Sequence, residues 1–274
     1  MLKKLFGYEW KAFWKVPTLI AVTFLVMSLL ASAMFIMPEW TNEYTLINLL
    51  KMLFFSFYYM AIIGLNFFLL VWIALRFYKN LYTDEGYLMH TLPVTPHQLI
   101  LSKLFVSGIW EIIYSIILCI GIGNIFLFVF ISSDMQAINW QDVMRGIGTL
   151  ITEFEQSFGC SILVTCLTVG LYLFMSLVFS IMVIYASISL GQLCKKHRVI
   201  GAIIVYLIST VIMQVVVSII FFMNALPSLN SSSNVTMASI FGPSIYLIIL
   251  FEVVIFLLCY FVSYYMMNRK LNLE

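Results

Sequence analysis

The chain has 274 residues, of which 63% are hydrophobic and only 9% are charged, and its mean hydropathy is +1.07. Soluble domains carry about 25% charged residues, so this composition excludes an ordinary soluble protein and indicates an integral membrane protein. The formal net charge of +2 gives no indication of a nucleic-acid partner, and we expect none.

The first 16 residues have the pattern of an amphipathic helix, with leucine and aromatic side chains on one face and lysines on the opposite face. We predict an entry helix over residues 1–16 that lies in the cytoplasmic interface of the bilayer. Glu9 falls within the apolar face of this helix. We expect a tolerated charge, or one that reaches past the apolar surface to water; the alternative is a contact with protein.

Crossing about 30 Å of hydrocarbon takes roughly 20 helical residues. Several segments are long and apolar enough to do so. They predict transmembrane helices at 18–37, 46–78 (with its apolar centre at 52–75), 104–133, 159–191, 199–223 and 244–267. We therefore expect an all-α polytopic membrane protein with six transmembrane helices, forming a single transmembrane domain over residues 1–274.

The basic residues predict which side of the membrane each segment occupies. Of the 14 lysines and arginines, only Lys51 and Arg145 fall on one side of the six spans, and the remaining 12 fall on the other. Under the positive-inside rule this asymmetry places both termini in the cytoplasm. We expect a multi-pass protein of the plasma membrane.

Two segments are predicted outside the cell. In residues 134–158, apolar side chains recur at spacings of three and four from Trp140 to Phe158, which predicts an amphipathic external helix between transmembrane helices 3 and 4. Residues 224–243 contain a run rich in serine and asparagine and predict an external loop.

The segment at 79–103, between the second and third spans, contains the longest polar stretch on the predicted inner side. Gly86 and Pro93 interrupt the chain on either side of Tyr87–Leu92, which limits that piece to a short helix or a turn. We predict a short cytoplasmic helix here. The alternative is a plain reversal of the chain at the membrane surface.

The same segment ends in a helix start. Thr95 is suited to the N-cap, Pro96 to the first helical position and Gln98 to the third, where its side chain completes a capping box. The apolar run from Leu99 then leads directly into the third span. A helix joined to a helix through a proline turn is a rigid connection.

The chain carries no enzyme signature: G-x-x-x-x-G-K-[ST], H-E-x-x-H and G-x-S-x-G are all absent from the sequence. We therefore expect no catalytic residue, no metal site and no bound cofactor. The energy for any transport must come from an ion gradient or from another subunit.

Two acids, Glu111 and Glu252, lie within the predicted spans. A charge at such depth is costly and marks a functional candidate, so both are candidates for a translocation cleft. The alternative is that they pair with a polar side chain, such as Asn66 or Gln214, and brace the helices. These four residues form the set of cleft candidates.

Beyond these patterns, the stretch from Asp84 to Leu99, DEGYLMHTLPVTPHQL, followed by Ser102-Lys103, resembles the signature of half-size ABC-2 type exporter permeases. The similarity extends to Gly191-Gln192-Leu193, Lys196-His197-Arg198 and Gly201, and to the last six residues. His97 is a departure, because many relatives carry arginine or lysine at this position.

The resemblance implies a pair of permease chains, as a homodimer or heterodimer in the lipid bilayer, with two copies of a separate cytoplasmic ATP-binding subunit. That partner would bind ATP and Mg and drive alternating access. The implied ATPase-coupling residues are Asp84, Glu85, Gly86, Tyr87, Leu88, His90, Leu92, Pro93, Thr95, Pro96 and His97. A second cytoplasmic contact is implied at Gln192, Lys196, His197 and Arg198.

The expected cargo is an amphipathic cationic peptide, of antimicrobial or toxin-like type, because two acids in an aromatic and methionine-rich bundle would accommodate it. Export of lipid or of a hydrophobic drug is the alternative. An ion-coupled carrier or channel is an alternative of another class, although the broken, repeated spans typical of such carriers are not evident. A non-transporting membrane scaffold or enzyme is the third class.

Overall fold

The computed structural model describes residues 2–36, 45–83, 86, 94–132, 140–158, 161–194, 196–230 and 237–269. These residues form helices and connecting turns, with no strand among them. The helices are α1 (Leu2–Phe13), α2 (Lys15–Ile36), α3 (Thr45–Tyr82), α4 (Pro96–Ser132), α5 (Trp140–Phe158), α6 (Ile162–Gly191), α7 (Arg198–Asn230) and α8 (Met237–Arg269).

Six of these helices are long and apolar enough to cross a membrane. They are α2, α3, α4, α6, α7 and α8, with candidate spans at Lys15–Ala33, Leu49–Tyr82, Pro96–Ile125, Ile162–Gly191, Arg198–Leu226 and Pro243–Asn268. The prediction of an all-α membrane protein with six spans is confirmed.

A proline sets the boundary between α1 and α2. Pro17 has no N–H to donate to the carbonyl of Phe13, and its ring crowds that carbonyl, so α1 ends at Phe13 and α2 begins at Lys15. Backbone hydrogen bonds continue on both sides of the break, from Trp14 N–H to Trp10 O (3.1 Å) and from Thr18 N–H to Trp14 O (3.0 Å). The predicted entry segment 1–16 is therefore a helix that ends three residues early.

Two predicted connections are shorter than expected. The segment 79–103 is shorter than predicted at its start, because α3 continues to Tyr82, and it ends where the capping pattern predicted, because α4 begins at Pro96. The loop predicted at 224–243 is wrong at both ends, because α7 continues to Asn230 and α8 begins at Met237. A helix that has formed over an apolar run can continue into polar residues, because each added residue gains a backbone hydrogen bond. Asn224 lies in such a continuation and donates its side-chain amide to Ile220 O (2.8 Å).

The chain divides into two compact units. Unit 1 contains Met1–Arg76 and Phe105–Trp140, and unit 2 contains Phe77–Leu104 and Gln141–Glu274. The division passes through α3 and α4, so each of these helices belongs to both units. The assignment of residues 1–274 to one transmembrane domain stays a prediction.

In unit 1, α2, α3 and α4 pack around a buried cluster formed by Phe24, Ala31, Tyr58 and Ile125. The approach of α2 to α4 depends on a glycine. A Cβ at Gly121 would overlap the ring of Phe24 and would lie 3.3 Å from Ser28 Cβ. Close packing here therefore requires the small residue.

In unit 2, α6 packs against α7 and α8, and α7 packs against α8. The part of α6 from 181 to 189 is buried on every side. Its Tyr185 stacks on Phe77, at the end of α3, with ring centroids 3.8 Å apart and planes 9° apart. This aromatic pair anchors the last turn of α3 in unit 2.

The turn between α6 and α7 depends on Gly191, and this dependence can be tested. A Cβ there would lie 2.5 Å from Ala202 N and 2.6 Å from Ala202 Cα, so Gly191→Ala should displace backbone and lower the free energy of unfolding by about 1–3 kcal/mol. Gly170→Ala, on the same helix with nothing within 4 Å, is the control and should be neutral or slightly stabilising. Thermal unfolding in detergent measures both, and equal shifts would contradict the packing.

Candidate functional site

The start of α4 has the predicted capping geometry. Thr95 N–H donates to Gln98 Oε1 and Gln98 N–H donates to Thr95 Oγ1, both over 3.4 Å, which is a reciprocal capping box. Thr95 O also accepts from Gln98 N (2.9 Å) and Leu99 N (3.2 Å). Pro96 is the first residue of α4. The predicted helix start is confirmed.

The next residue, His97, joins α4 to α8. Its Nδ1 is hydrogen-bonded to the hydroxyl of Tyr260. The two rings meet edge to face, with centroids 5.7 Å apart and an interplanar angle of 90°. Both residues belong to unit 2, and the sequence patterns did not indicate Tyr260. The start of α4 is thus held against α8.

The end of α3, on the other side of the predicted coupling segment, is held against α6. Ser189 donates its single hydroxyl proton to Tyr185 O (2.8 Å). The 2.9 Å hydrogen bond between Tyr82 and Ser189 therefore has Tyr82 as its donor. Tyr82 is fully enclosed, at 2% exposure. Both helices that flank the segment therefore have a fixed contact within unit 2.

Most of the predicted coupling residues lie outside the described residues. This applies to Asp84, Glu85, Tyr87, Leu88, His90, Leu92 and Pro93, and the predicted helix at 87–92 lies there too. Gly86 is described: its N–H donates to Thr83 O (2.7 Å). A Cβ on Gly86 would lie 2.6 Å from the backbone C and O of Leu81, so only glycine fits at this position.

The second predicted contact divides into a buried part and an exposed part. Gln192 is buried, and its Nε2 donates to Ile188 O (3.4 Å). Lys196 and His197 are exposed, and half-buried Arg198 begins α7. Backbone bonds from Leu193 to Leu190 O and from Cys194 to Gly191 O close the turn. Two of the four predicted side chains are therefore fully open to a partner.

The four cleft candidates have different surroundings. Glu111, in unit 1, and Glu252, in unit 2, are 4% and 7% exposed, whereas Asn66 is half-buried and Gln214 is exposed. Among the described residues, the Oε2 atoms of both glutamates have no hydrogen-bond partner. If Asn66 and Gln214 braced the two acids, one oxygen of each carboxylate would still have no hydrogen-bond partner among the described residues.

A contact between α1 and α3 involves Glu9. Arg76 Nη2 lies 3.4 Å from Glu9 Oε2, and Arg76 Nη1 donates to Ala12 O over 3.0 Å. The guanidinium carbon also lies 5.7 Å from the centroid of the Phe13 ring. One arginine therefore neutralises a buried acid, bonds a terminal carbonyl of α1 and complements the dipole of that helix. Of the two interpretations of Glu9, contact with protein is the one the structure supports.

The start of α6 carries another contact that sequence reasoning missed. The N-cap Ser161 makes no side-chain capping bond. Glu155 of α5 takes its place, since Glu155 Oε1 accepts a 3.0 Å hydrogen bond from Ile162 N–H. A carboxylate at a helix N-terminus satisfies a free donor and is favoured by the helix dipole. In the sequence, the only indication of this contact is that Glu155 is an acidic residue near the end of the predicted external helix.

Comparison of the sequence with models of known protein families and with curated proteins, and of the structure with solved structures, gives no match. In the part of the chain that the structure describes, no group of three or more His, Cys, Asp or Glu could hold a metal ion.

Replacing Arg76 tests the contact with α1. Arg76→Met removes a partner of buried Glu9 and should lower the free energy of unfolding by roughly 3 kcal/mol. Lys11→Met, which removes an exposed cation from α1 itself, should change it by less than about 0.5 kcal/mol. Denaturant titration in mixed micelles measures both.

The double variant Arg76→Met with Glu9→Gln completes this test. It should be more stable than Arg76→Met alone, because no buried charge is then left without its partner. Equal effects of Arg76→Met and Lys11→Met would show that the contact contributes nothing to stability.

The capping box can be tested locally. Thr95→Ala should cost about 1 kcal/mol and so raise amide exchange in the first turn of α4 about fivefold, as measured by hydrogen–deuterium exchange. Thr95→Ser should retain protection. Thr152→Ala, in the interior of α5, is the control, because its hydroxyl only donates to Thr149 O. Unchanged exchange at residues 96–100 in Thr95→Ala would contradict the cap.

Proposed function

We propose that this chain is the membrane-spanning permease subunit of an ATP-driven exporter of the ABC-2 type. It lies in the plasma membrane with both termini in the cytoplasm. Two such chains pair, and two copies of a separate cytoplasmic ATPase bind ATP and Mg. The observation that carries the proposal is the motif from Asp84 to Leu99, whose last residues form a capped helix start at Thr95 and Pro96.

The contacts around this motif support a role in coupling. α4 runs without interruption from Pro96 to Ser132, so a displacement of its first turn is passed along a span. The hydrogen bond between His97 and Tyr260 connects the same turn to α8, and the bond between Tyr82 and Ser189 connects the end of α3 to α6. An ATPase that binds residues 84–94 and moves them would therefore displace several spans together.

In this scheme, ATP binding drives the conformational change of the ATPase dimer. If the closed ATPase dimer binds ATP more tightly than the open one, ATP binding shifts the population towards closure. Closure pulls the coupling segment and switches the permease between inward-facing and outward-facing states. Hydrolysis in the partner resets the cycle. The exposed Lys196 and His197 provide the second contact with the same partner.

The two shorter helices fit the interfaces on opposite sides of the bilayer. α1 lies in the cytoplasmic interface, where its contact with Arg76 fixes it to α3. α5 lies at the outer interface and exposes apolar side chains such as Met144 and Leu150. Such a helix is suited to the boundary between headgroups and acyl chains.

The cargo we propose is an amphipathic cationic peptide. Glu111 and Glu252 are buried, and each keeps one carboxylate oxygen without a hydrogen-bond partner among the described residues. A negative charge kept in an apolar bundle favours a positively charged ligand. Lysine side chains or the amino terminus of a peptide would supply that charge.

Loss of docking provides the test of the proposed function. The double variant Glu85→Lys with Leu92→Asp reverses one charge of the coupling segment and replaces one of its apolar residues with an acid. It should abolish co-purification of the partner ATPase and the stimulation of its ATP hydrolysis. Thr152→Asp with Gln156→Lys introduces the same two side chains at exposed positions of α5 and should leave both unchanged.

Two outcomes would contradict the proposal. One is unchanged ATPase binding by the coupling-segment variant. The other is peptide transport into proteoliposomes that follows a proton gradient and needs no ATP, which would indicate an ion-coupled carrier.

A further inference from the structure

Buried polar atoms concentrate beside one acid of unit 1. Tyr58 of α3 and Tyr114 of α4 are both 3% exposed, and Glu111 of α4 is 4% exposed. The two phenolic oxygens and Glu111 Oε2 have no hydrogen-bond partner among the described residues. Buried polar groups are nearly always bonded, so three such atoms at one place require an explanation.

These three groups face a common region. Tyr114 follows Glu111 by three positions, so their side chains lie on the same face of α4. The rings of Tyr114 and Tyr58 both contact the ring of Phe24, which brings α3 to this part of α4. The groups come from two helices that are far apart in sequence, which indicates an arrangement made by packing.

Aromatic rings surround the same region. Phe24 of α2 stacks on Tyr58 with centroids 5.9 Å apart, and it meets Tyr114 edge to face at 6.4 Å. The ring of Phe24 is fully buried and is held where α2 approaches Gly121. Three rings and a carboxylate together resemble the aromatic cages that bind ammonium groups.

We infer that Phe24, Tyr58, Tyr114 and Glu111 form a binding site for an organic ammonium group attached to an apolar body. The carboxylate provides the counter-charge, the phenolic oxygens accept N–H donors, and the rings present their faces to the cation. We call these four residues the ammonium cage.

The composition of the cage favours an organic cation over a metal ion. Ca²⁺ and Mg²⁺ take six or more oxygen ligands in a typical site, whereas the cage offers three oxygens without a partner among the described residues. Aromatic faces contribute to binding an ammonium ion that has lost its water. Since the cage is closed to solvent, its ligand enters when α2, α3 and α4 separate, as transport through the bundle would require.

The role of the cage as a cargo site rests on the proposed export function, but binding itself does not. It can therefore be measured on the purified full-length chain without any ATPase. The probes are octylammonium, octyltrimethylammonium and n-octanol, and the host is a nanodisc of phosphatidylglycerol, which contains no amine. Ligand-dependent thermal stabilisation gives the affinity, with empty nanodiscs correcting for partition into lipid.

Octylammonium should bind and n-octanol should not. Glu111→Gln should weaken octylammonium at least about tenfold, because it removes the charged partner. Glu153→Gln removes an exposed acid of α5 and is the control, with affinity unchanged. Equal binding of octylammonium by the wild type and Glu111→Gln would overturn the inference, as would stabilisation by Na⁺ alone.

Two milder variants keep the inference testable if Glu111→Gln does not fold. Tyr114→Phe keeps the ring and loses the hydroxyl, so octylammonium should weaken about threefold while octyltrimethylammonium, which has no N–H, should not change. Phe24→Leu should weaken the trimethyl probe about threefold by removing a ring face. If neither variant changes the affinities for the two probes differently, the inference of an ammonium cage is also overturned.

The natural ammonium group could belong to a peptide or to a lipid headgroup. Adding phosphatidylethanolamine to the nanodisc should weaken octylammonium if the headgroup is the ligand. An N-acetylated amphipathic peptide with one lysine should compete if a peptide is the ligand. If ammonium binds through Glu111 while no ATPase co-purifies, only the export function fails; if the ATPase docks and Glu111 is irrelevant to the probes, only the cage fails.

Discussion

The absence of water inside a bilayer is the constraint from which the rest of this structure follows. Every backbone group must be bonded within the protein, which leaves helices as the economical solution for apolar runs. Serine and threonine side chains meet the same requirement within their own helix, as Ser180 does by donating to Leu177 O, whereas a few polar side chains bond across helices. Arg76 with Glu9 and Tyr82 with Ser189 are contacts of this kind. They determine how elements meet, because apolar helix surfaces discriminate poorly between neighbours.

Local sequence patterns were sufficient to predict the transmembrane helices. Apolar length predicted the six spans, and the order Thr95, Pro96, Gln98 predicted a helix start whose atoms form both expected bonds. The bounds of the polar connection at 224–243 were not predictable in this way. Serine and asparagine lower helix propensity only slightly. The helices on either side therefore extend into the polar run, α7 to Asn230 and α8 from Met237.

Contacts between distant residues were beyond the reach of sequence patterns. Arg76 and Glu9 are separated by 67 positions, Tyr82 and Ser189 by 107, and His97 and Tyr260 by 163. Arg76 informed only the topology, and Tyr260 resembled any aromatic residue of an apolar span. Glu111 could be selected as an isolated charge, yet the packing of Phe24 against Tyr58 and Tyr114 on two other helices could not be predicted from the sequence.

The contact between Arg76 and Glu9 also has a consequence for synthesis. The ribosome adds roughly 5–20 residues per second, so the 67 positions between the two residues correspond to roughly 3–13 s of translation. During that interval α1 and the span of α2 have been made, but the guanidinium that pairs with Glu9 has not. α1 therefore gains this contact only after most of α3 has been translated. α1 is therefore synthesised well before the arginine that holds it to α3.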